Sequence, residues 1–385
     1  MNYNKLLLIY SGWLGDLVWI IPTIRALRTR FSHVSIVASE IQEPLALLLQ
    51  GNLLDNVFID HRRRRLASAA KSRRMALAED IGTFVDLKGR GKAGLYIPWH
   101  PGTRVFSPSR KNAREYILSR ILHPMATEMP DHNDKLHMVD SYLETAQFLG
   151  AKETPVCFDI PFSKDVIANA DRIIDKYHLQ DGRSVAISLG SAQLSKIWPA
   201  IRYRQLAEII ENDLGYRVVI MGGASFAPNA NYDFRTAREF FGDGRFVNLV
   251  AETNFAVDCR LLRSGVFGVI VGNDSFAGHM AGAVNEMPPH TAGSKRAPNG
   301  KYYKGLYSVT IFGPTNPEFC KPYDPTGYFN IAIQPRRYPP DCPYNRSDHI
   351  CPHYADAYCV KRNHCMDMIS VEQVAATVKQ QLQKL

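Results

Sequence analysis

KLLLIYSGWLGDLVWIIPTIRALRTR, residues 5 to 30, sets a strand, a glycine-rich turn and a helix in immediate succession. KLLLIY (5 to 10) is an apolar run of strand length, and SGWLGD (11 to 16) is too rich in glycine to continue it. In IIPTIRALRTR the apolar Ile20, Ile24 and Leu27 fall on one helical face, and Pro22 is tolerable only near the first turn. That order opens a doubly wound α/β unit.

Working outward, VSIVAS (34 to 39), NVFID (56 to 60), TFVDLK (83 to 88) and RVFSP (104 to 108) read as further strands. ETPVCFDIPFS (153 to 163), with two prolines and no periodicity, suits a hinge, and a second alternating series follows it. Its strands are SVAISLG, YRVVIMGG, FVNLV, VFGVIVGND and YSVTIFG, and YRQLAEIIENDL (203 to 214) is an amphipathic helix between two of them. A chain of 385 residues exceeds the usual size of one core, and 45% hydrophobic residues suffice for two.

The expected architecture is therefore α/β, with two Rossmann-like domains facing a central cleft. The first spans 1–155 and the second 164–369. The closing helix, with Ser370 as N-cap, Gln373 completing a capping box, and Val371, Val374, Val378 and Leu382 buried, is expected to run over 370–385 and complete the first domain. NEMPPHTAGSKRAPNGKYYKG (285 to 305) reads as an exposed loop.

The formal charge of +9 favours anionic partners. It is concentrated in RRRRLASAAKSRR (62 to 74), where seven of thirteen residues are cationic and none acidic, and in SRKNAR (109 to 114). A solvated basic face is the plain alternative to a binding surface. No basic segment interleaves with aromatics and no recognition motif is present, so no nucleic-acid partner is expected. Gly12, Gly15 and Asp16 interrupt the N-terminal apolar stretch, and no run reaches the roughly 18 apolar residues of a membrane span. A cytoplasmic location is expected.

In open α/β sheets ligands bind at the carboxyl ends of strands, so residues directly after strands carry the candidate chemistry. Asp16 follows the first strand and is either a catalytic base or a helix-capping carboxylate. SLGSAQLSKIWP (188 to 199) brings Lys196 after the first strand of the second series, where it can neutralise a leaving phosphate or lie on the surface. NDSFAGHMAGA (273 to 283) sets Asp274, Ser275 and His279 at a strand end and helix start, a place for a pyrophosphate or for an ordinary cap. FGPTNPEF (312 to 319) is a turn after the next strand.

Taken together and in this order, GDLVWIIPTIRALR, SKIWP, NDSFAGHMAGA and TIFGPTNP resemble the motifs of glycosyltransferase family 9, the heptosyltransferases. VDLKGR, NAREY and CMDMISVEQV also stand in family order, so the resemblance covers nearly the whole chain. It implies a GT-B fold and an inverting, metal-independent transfer of heptose from ADP-heptose to an inner-core lipopolysaccharide acceptor of the Kdo and heptose type. Asp16 would be the general base and Lys196 the partner of the departing ADP phosphate. Gly15, Ser188, Gly190, Gly222, Gly223, Asp274, Ser275, Phe276 and His279 would bind the donor. Arg62, Arg63, Arg64, Arg65, Lys88, Arg90 and Arg114 would meet the anionic acceptor, with peripheral association at the cytoplasmic membrane face.

The chain departs from the family at Phe276, where glycine is usual, and in the lack of an acidic residue close after MGGAS (221 to 225). A second reading, to which the clustered tail cysteines lend some support, makes the acceptor a protein hydroxyl, as in autotransporter heptosyltransferases, and a non-catalytic nucleotide-sugar-binding protein is a third, against which Asp16 and Lys196 speak. Cys342, Cys351, Cys359 and Cys365 cluster as C-x8-C-x7-C-x5-C, near His349, His353 and His364. They are either reduced packing thiols or a structural zinc or iron site. GRGKAG (89 to 94) satisfies the letter of the dinucleotide fingerprint, but it does not follow the first strand of its unit and no acidic residue follows at the required spacing.

Overall fold

The structure is a computed structural model that describes residues 1–88, 91–108, 126–130, 133, 135–158, 160–222, 230–285, 305–336 and 364–385. The chain divides into two compact units, Met1–Pro161 and Phe162–Leu385. The boundary falls inside ETPVCFDIPFS.

The first unit carries β1 (Asn2–Tyr10), β2 (His33–Ser39), β3 (Val57–Asp60), β4 (Ile81–Asp86), β5 (Arg104–Pro108) and β6 (Thr127–Met129). They form one parallel sheet in the order β3-β2-β1-β4-β5-β6. Central β1 pairs Leu8 with Ile36 on one side and with Val85 on the other, and Leu6, Leu7 and Leu8 are wholly buried. Helices cover both faces of such a strand, which explains why its sequence is continuously apolar rather than alternating.

The second unit repeats the plan with β7 (Ser184–Ser188), β8 (Arg217–Met221), β9 (Val247–Asn248), β10 (Phe267–Asn273), β11 (Tyr307–Ile311) and β12 (Asn330–Ile333), in the order β12-β11-β10-β7-β8-β9. Numbered within its own unit, each sheet runs 3-2-1-4-5-6. The strand order therefore reverses between β1 and β4 in one unit and between β7 and β10 in the other, and ligands of this fold class lie at that reversal.

The core of the second unit gathers around Trp198, which is fully buried. Its ring meets Tyr203 edge-on at 4.8 Å, a contact worth about 1 kcal/mol beyond burial. Its indole N–H donates to the Ile369 carbonyl at 2.9 Å, tying the segment ahead of the last helix to the loop after β7. The helix Phe276–Asn285 approaches the chain at Tyr323 so closely that a Cβ on Gly282 would stand 2.8 Å from the Tyr323 nitrogen. Asn285 then receives a bond from the Leu306 N–H at 2.8 Å and returns one to its carbonyl at 2.9 Å. Residues 286–304, most of the expected exposed loop, lie outside the described residues.

One expectation is corrected here. The last helix, Val371–Leu382, does not complete the first unit; it packs on the helix Ala200–Asn212 and on β10 and β11 of the second. Its stripe of Val371, Val374, Val378 and Leu382 joins the same core as Trp198 and Ile311, which supplies the apolar surface that stripe needs. Ser370 caps it by accepting from the Gln373 N–H at 3.2 Å. The Gln373 side chain, expected to close the capping box, instead donates to the Gln334 carbonyl at 3.3 Å.

Candidate active site

In the first unit the site is built where β1 and β4 end. The loop Ser11–Trp13 is fastened by the wholly buried Gln42, whose Oε1 accepts from the Gly12 N–H at 3.3 Å and the Ser39 N–H at 3.0 Å, and whose amide donates to the Trp13 carbonyl at 3.1 Å. The Ser39 hydroxyl adds a bond to the Gly12 carbonyl at 2.8 Å. Asp16 lies in the first turn of the short helix Leu14–Trp19 and reaches back so that its Oδ2 accepts from the Trp13 N–H at 3.1 Å. The same Oδ2 takes the ammonium of Lys88, which stands two residues past β4. That ammonium also lies 4.8 Å from the centre of the Tyr10 ring. A Cβ on Gly12 would strike both the Lys88 ammonium and the Asp16 carboxylate, so any other residue here would push the pair from its place over this loop.

Asp16 thus makes the local backbone contact expected of a cap, and in addition an ion pair. Lys88, expected among the acceptor residues, is bound to Asp16. Gly15 sits beside it, partly exposed, in the first unit. Arg62, Arg63 and Arg64 are exposed in a turn after β3, while Arg65 folds back onto the buried Asp60 at 3.3 Å. Arg90 and Arg114 lie outside the described residues.

In the second unit the ends of β7, β10 and β11 converge on Asp274, which is 5% exposed. Its Oδ2 accepts from the Lys196 ammonium at 2.6 Å and from the Thr315 hydroxyl at 2.7 Å, and its Oδ1 faces His279 Nε2 at 3.8 Å. Burial alone would raise the Asp274 pKa, but the charges of Lys196 and His279 and the bonds from Lys196 and Thr315 hold it below the usual carboxylate value. Next to it, Asn273 Oδ1 accepts from the Trp198 N–H at 2.8 Å and the Tyr203 hydroxyl at 2.9 Å, and its amide donates to the Leu189 carbonyl at 2.8 Å. These bonds lock the loop that carries Lys196 to the end of β10.

Ser188 and Gly190 lie at the end of β7 and just beyond it, and Gly222 directly follows β8. β7 and β10 press together so that a Cβ on Gly272 would sit 3.2 Å from the Ser188 carbonyl. Ser275 is partly exposed just ahead of the helix Phe276–Asn285, and Phe276 packs on Phe255 with ring centres 4.8 Å apart and the rings tilted by 44°. Gly223 lies outside the described residues. Thr315, Asn273 and Tyr10 were not singled out by sequence. Thr315 stands in the turn after β11, and position after a strand was the one available signal.

Of the tail cysteines, Cys365 is partly buried, and a Cβ on Gly313 would stand 3.1 Å from its sulfur. Cys342, Cys351 and Cys359 lie outside the described residues. Among the described residues no group of three His, Cys, Asp or Glu side chains is placed to hold a metal ion. No described helix is long and apolar enough to cross a membrane.

Two parallel sheets of Rossmann order, each with charged groups at its reversal point, give the chain a GT-B fold. Residues 120–287 match the family model for glycosyltransferase family 9 (heptosyltransferase). Comparison with curated protein sequences gives no match. Among solved structures, the chain is similar to a family 9 glycosyl transferase from Veillonella parvula DSM 2008, with a TM-score of 0.70 and 17% identity over 100% of this chain and 99% of that one. It is similar to ADP-heptose lps heptosyltransferase II of E. coli, with a TM-score of 0.63 and 18% identity over 99% of both chains. The iron-containing dodecameric glycosyltransferase TibC from enterotoxigenic E. coli H10407 follows at 0.51 and 13% identity, over 100% of this chain and 78% of that one. At these identities the likenesses establish the fold.

Proposed function

We propose that the protein is an inverting heptosyltransferase that moves heptose from ADP-heptose to an inner-core lipopolysaccharide hydroxyl on a Kdo or heptose residue. The observation that carries this reading is the buried Asp274, whose bonds hold Lys196 and face His279 at the reversal point of the second sheet. A carboxylate cannot itself bind phosphate, so Asp274 acts on the donor through the cations it orients. Lys196, with the Ser275 hydroxyl and the N–H groups opening the helix Phe276–Asn285, offers the donors that a diphosphate leaving group needs.

In the proposed reaction Asp16 removes the proton of the acceptor hydroxyl as its oxygen bonds to the anomeric carbon. The bond from that carbon to the β-phosphate oxygen breaks, its electron pair leaves on ADP, and Lys196 offsets the charge. Asp16 then gives up its proton to solvent. ADP is expected to raise the melting temperature of the protein in a thermal-shift series with ADP, UDP, GDP and NAD, because a ligand that binds only the folded state stabilises it. A preference for UDP or GDP would discard the ADP-sugar donor, and no response to any of them would favour a non-catalytic role.

The lipopolysaccharide acceptor is supported by the surface after β3. Arg62, Arg63 and Arg64 are exposed, and in the adjoining helix Arg65–Ala78 Leu66 is 75% and Leu77 47% exposed. Cationic groups beside bare leucines suit an anionic amphiphile at a membrane face better than a folded protein surface. The cytoplasmic face of the inner membrane is the corresponding place of action. Replacing Arg62, Arg63 and Arg64 by serine is expected to weaken acceptor binding at least tenfold at low salt, with the difference shrinking as salt rises. An unchanged acceptor affinity would return the patch to solvated surface. The protein-hydroxyl acceptor is favoured only by the likeness to TibC.

A further inference from the structure

We propose that Lys88 is a positioning residue for the general base: it clamps Oδ2 of Asp16, so that Oδ1 is the oxygen that takes the acceptor's proton. This rests on the base role given to Asp16 above. Both donors that reach the carboxylate, the Lys88 ammonium and the Trp13 N–H at 3.1 Å, bind Oδ2, and among the described residues none binds Oδ1. Two donors on one oxygen fix the rotation of the carboxylate and leave the lone pairs of the other oxygen unspent.

The clamp is itself held from three sides. The Lys88 N–H donates to Asp86 Oδ1 at 3.2 Å, which anchors the residue to the end of β4. The Tyr10 ring lies 4.8 Å from the ammonium, and the Tyr10 hydroxyl donates to the Asp16 carbonyl at 3.0 Å. One aromatic residue at the end of β1 therefore supports both members of the pair. The side chains of Lys88 and Asp16 are 16% and 15% exposed, enough for a hydroxyl to reach the carboxylate and too little for bulk water to screen the pair fully.

Lys88→Met, Lys88→Arg and Lys88→Ala are to be compared with wild type and with Asp16→Asn, using ADP-heptose and a heptose-deficient lipopolysaccharide acceptor. Lys88→Met should lower kcat roughly 100-fold, the scale of a misplaced reacting group, with acceptor KM within about threefold of wild type. Lys88→Arg should stay within about tenfold of wild type, and ethylamine should restore part of the Lys88→Ala turnover, which a merely structural lysine would not allow. A raised acceptor KM with kcat kept, or a Lys88→Arg as inactive as Lys88→Met with no amine rescue, overturns the clamp. If Asp16→Asn keeps its turnover, the base role falls instead, and with it the reading on which the clamp rests.

Discussion

Asp16→Asn is expected to lower kcat about 1,000-fold, within the range a positioned general base supplies, while ADP affinity stays within about threefold of wild type. The asparagine oxygen can still accept from the Trp13 N–H, so the backbone of the loop keeps its fastening, and Gln42 and Ser39 hold the loop independently of position 16. What is lost is a basic lone pair and the counter-charge of Lys88. A pair that is only partly screened from water contributes about 1 to 2 kcal/mol, a shift of a few degrees in Tm for a unit of this size. Steady-state kinetics, thermal unfolding and ADP titration of the same preparation separate the cases. Turnover within tenfold of wild type would remove Asp16 from the chemistry, and a collapse of Tm would return it to a capping role.

The strand positions were legible wherever a strand is central. KLLLIY, VSIVAS and VFGVIVGND are buried on both faces and so carry unbroken apolar runs, and each falls within or along an observed strand. β6, with the sequence TEM, and β12, with NIAI, stand at sheet edges, are only three and four residues long, and give no pattern to read. The last helix starts where the sequence places it, after Ser370, but ends at Leu382 rather than 385 and belongs to the other unit. A helical stripe records that it needs an apolar partner and not which partner.

The site shows the same division. Rank after a strand pointed to Asp16, Lys196 and Asp274, because the end of a parallel strand is a property of local order. The partnerships were hidden, since Lys88 is 72 residues from Asp16 and Lys196 is 78 from Asp274. The common strand order explains both pairings at once. Each joins residues after the first and fourth strands of a unit, which are neighbours across the reversal and far apart in sequence. Lys88 was grouped with arginines because charge is what composition reports, whereas its partner is a matter of sheet topology.

Asp274→Asn is expected to lower the Tm of the second unit by roughly 6 to 12 °C at neutral pH, and to depress transfer as well because Lys196 loses its anchor. Removing one member of a buried ion pair costs about 3 kcal/mol, and 1 kcal/mol corresponds to about 2 to 4 °C in a unit of this length. The loss of the Thr315 bond alone would cost only about 1 kcal/mol, so Thr315→Val serves as the control for hydrogen bonding without charge. The pH dependence follows from the direction of the Asp274 shift. Its folded pKa lies below the ordinary aspartate value, so as pH falls the unfolded chain takes up the proton first. The stabilisation is complete above the unfolded pKa, at about pH 5 and higher, and is lost as pH falls through the folded value. The Tm difference between wild type and Asp274→Asn should accordingly be widest at pH 6 to 8 and narrow steadily toward pH 3, followed by calorimetry across that range. A difference that stays constant with pH would mean that Asp274 holds Lys196 by shape and hydrogen bonding alone, and an unchanged Tm would remove it from the framework of the second unit.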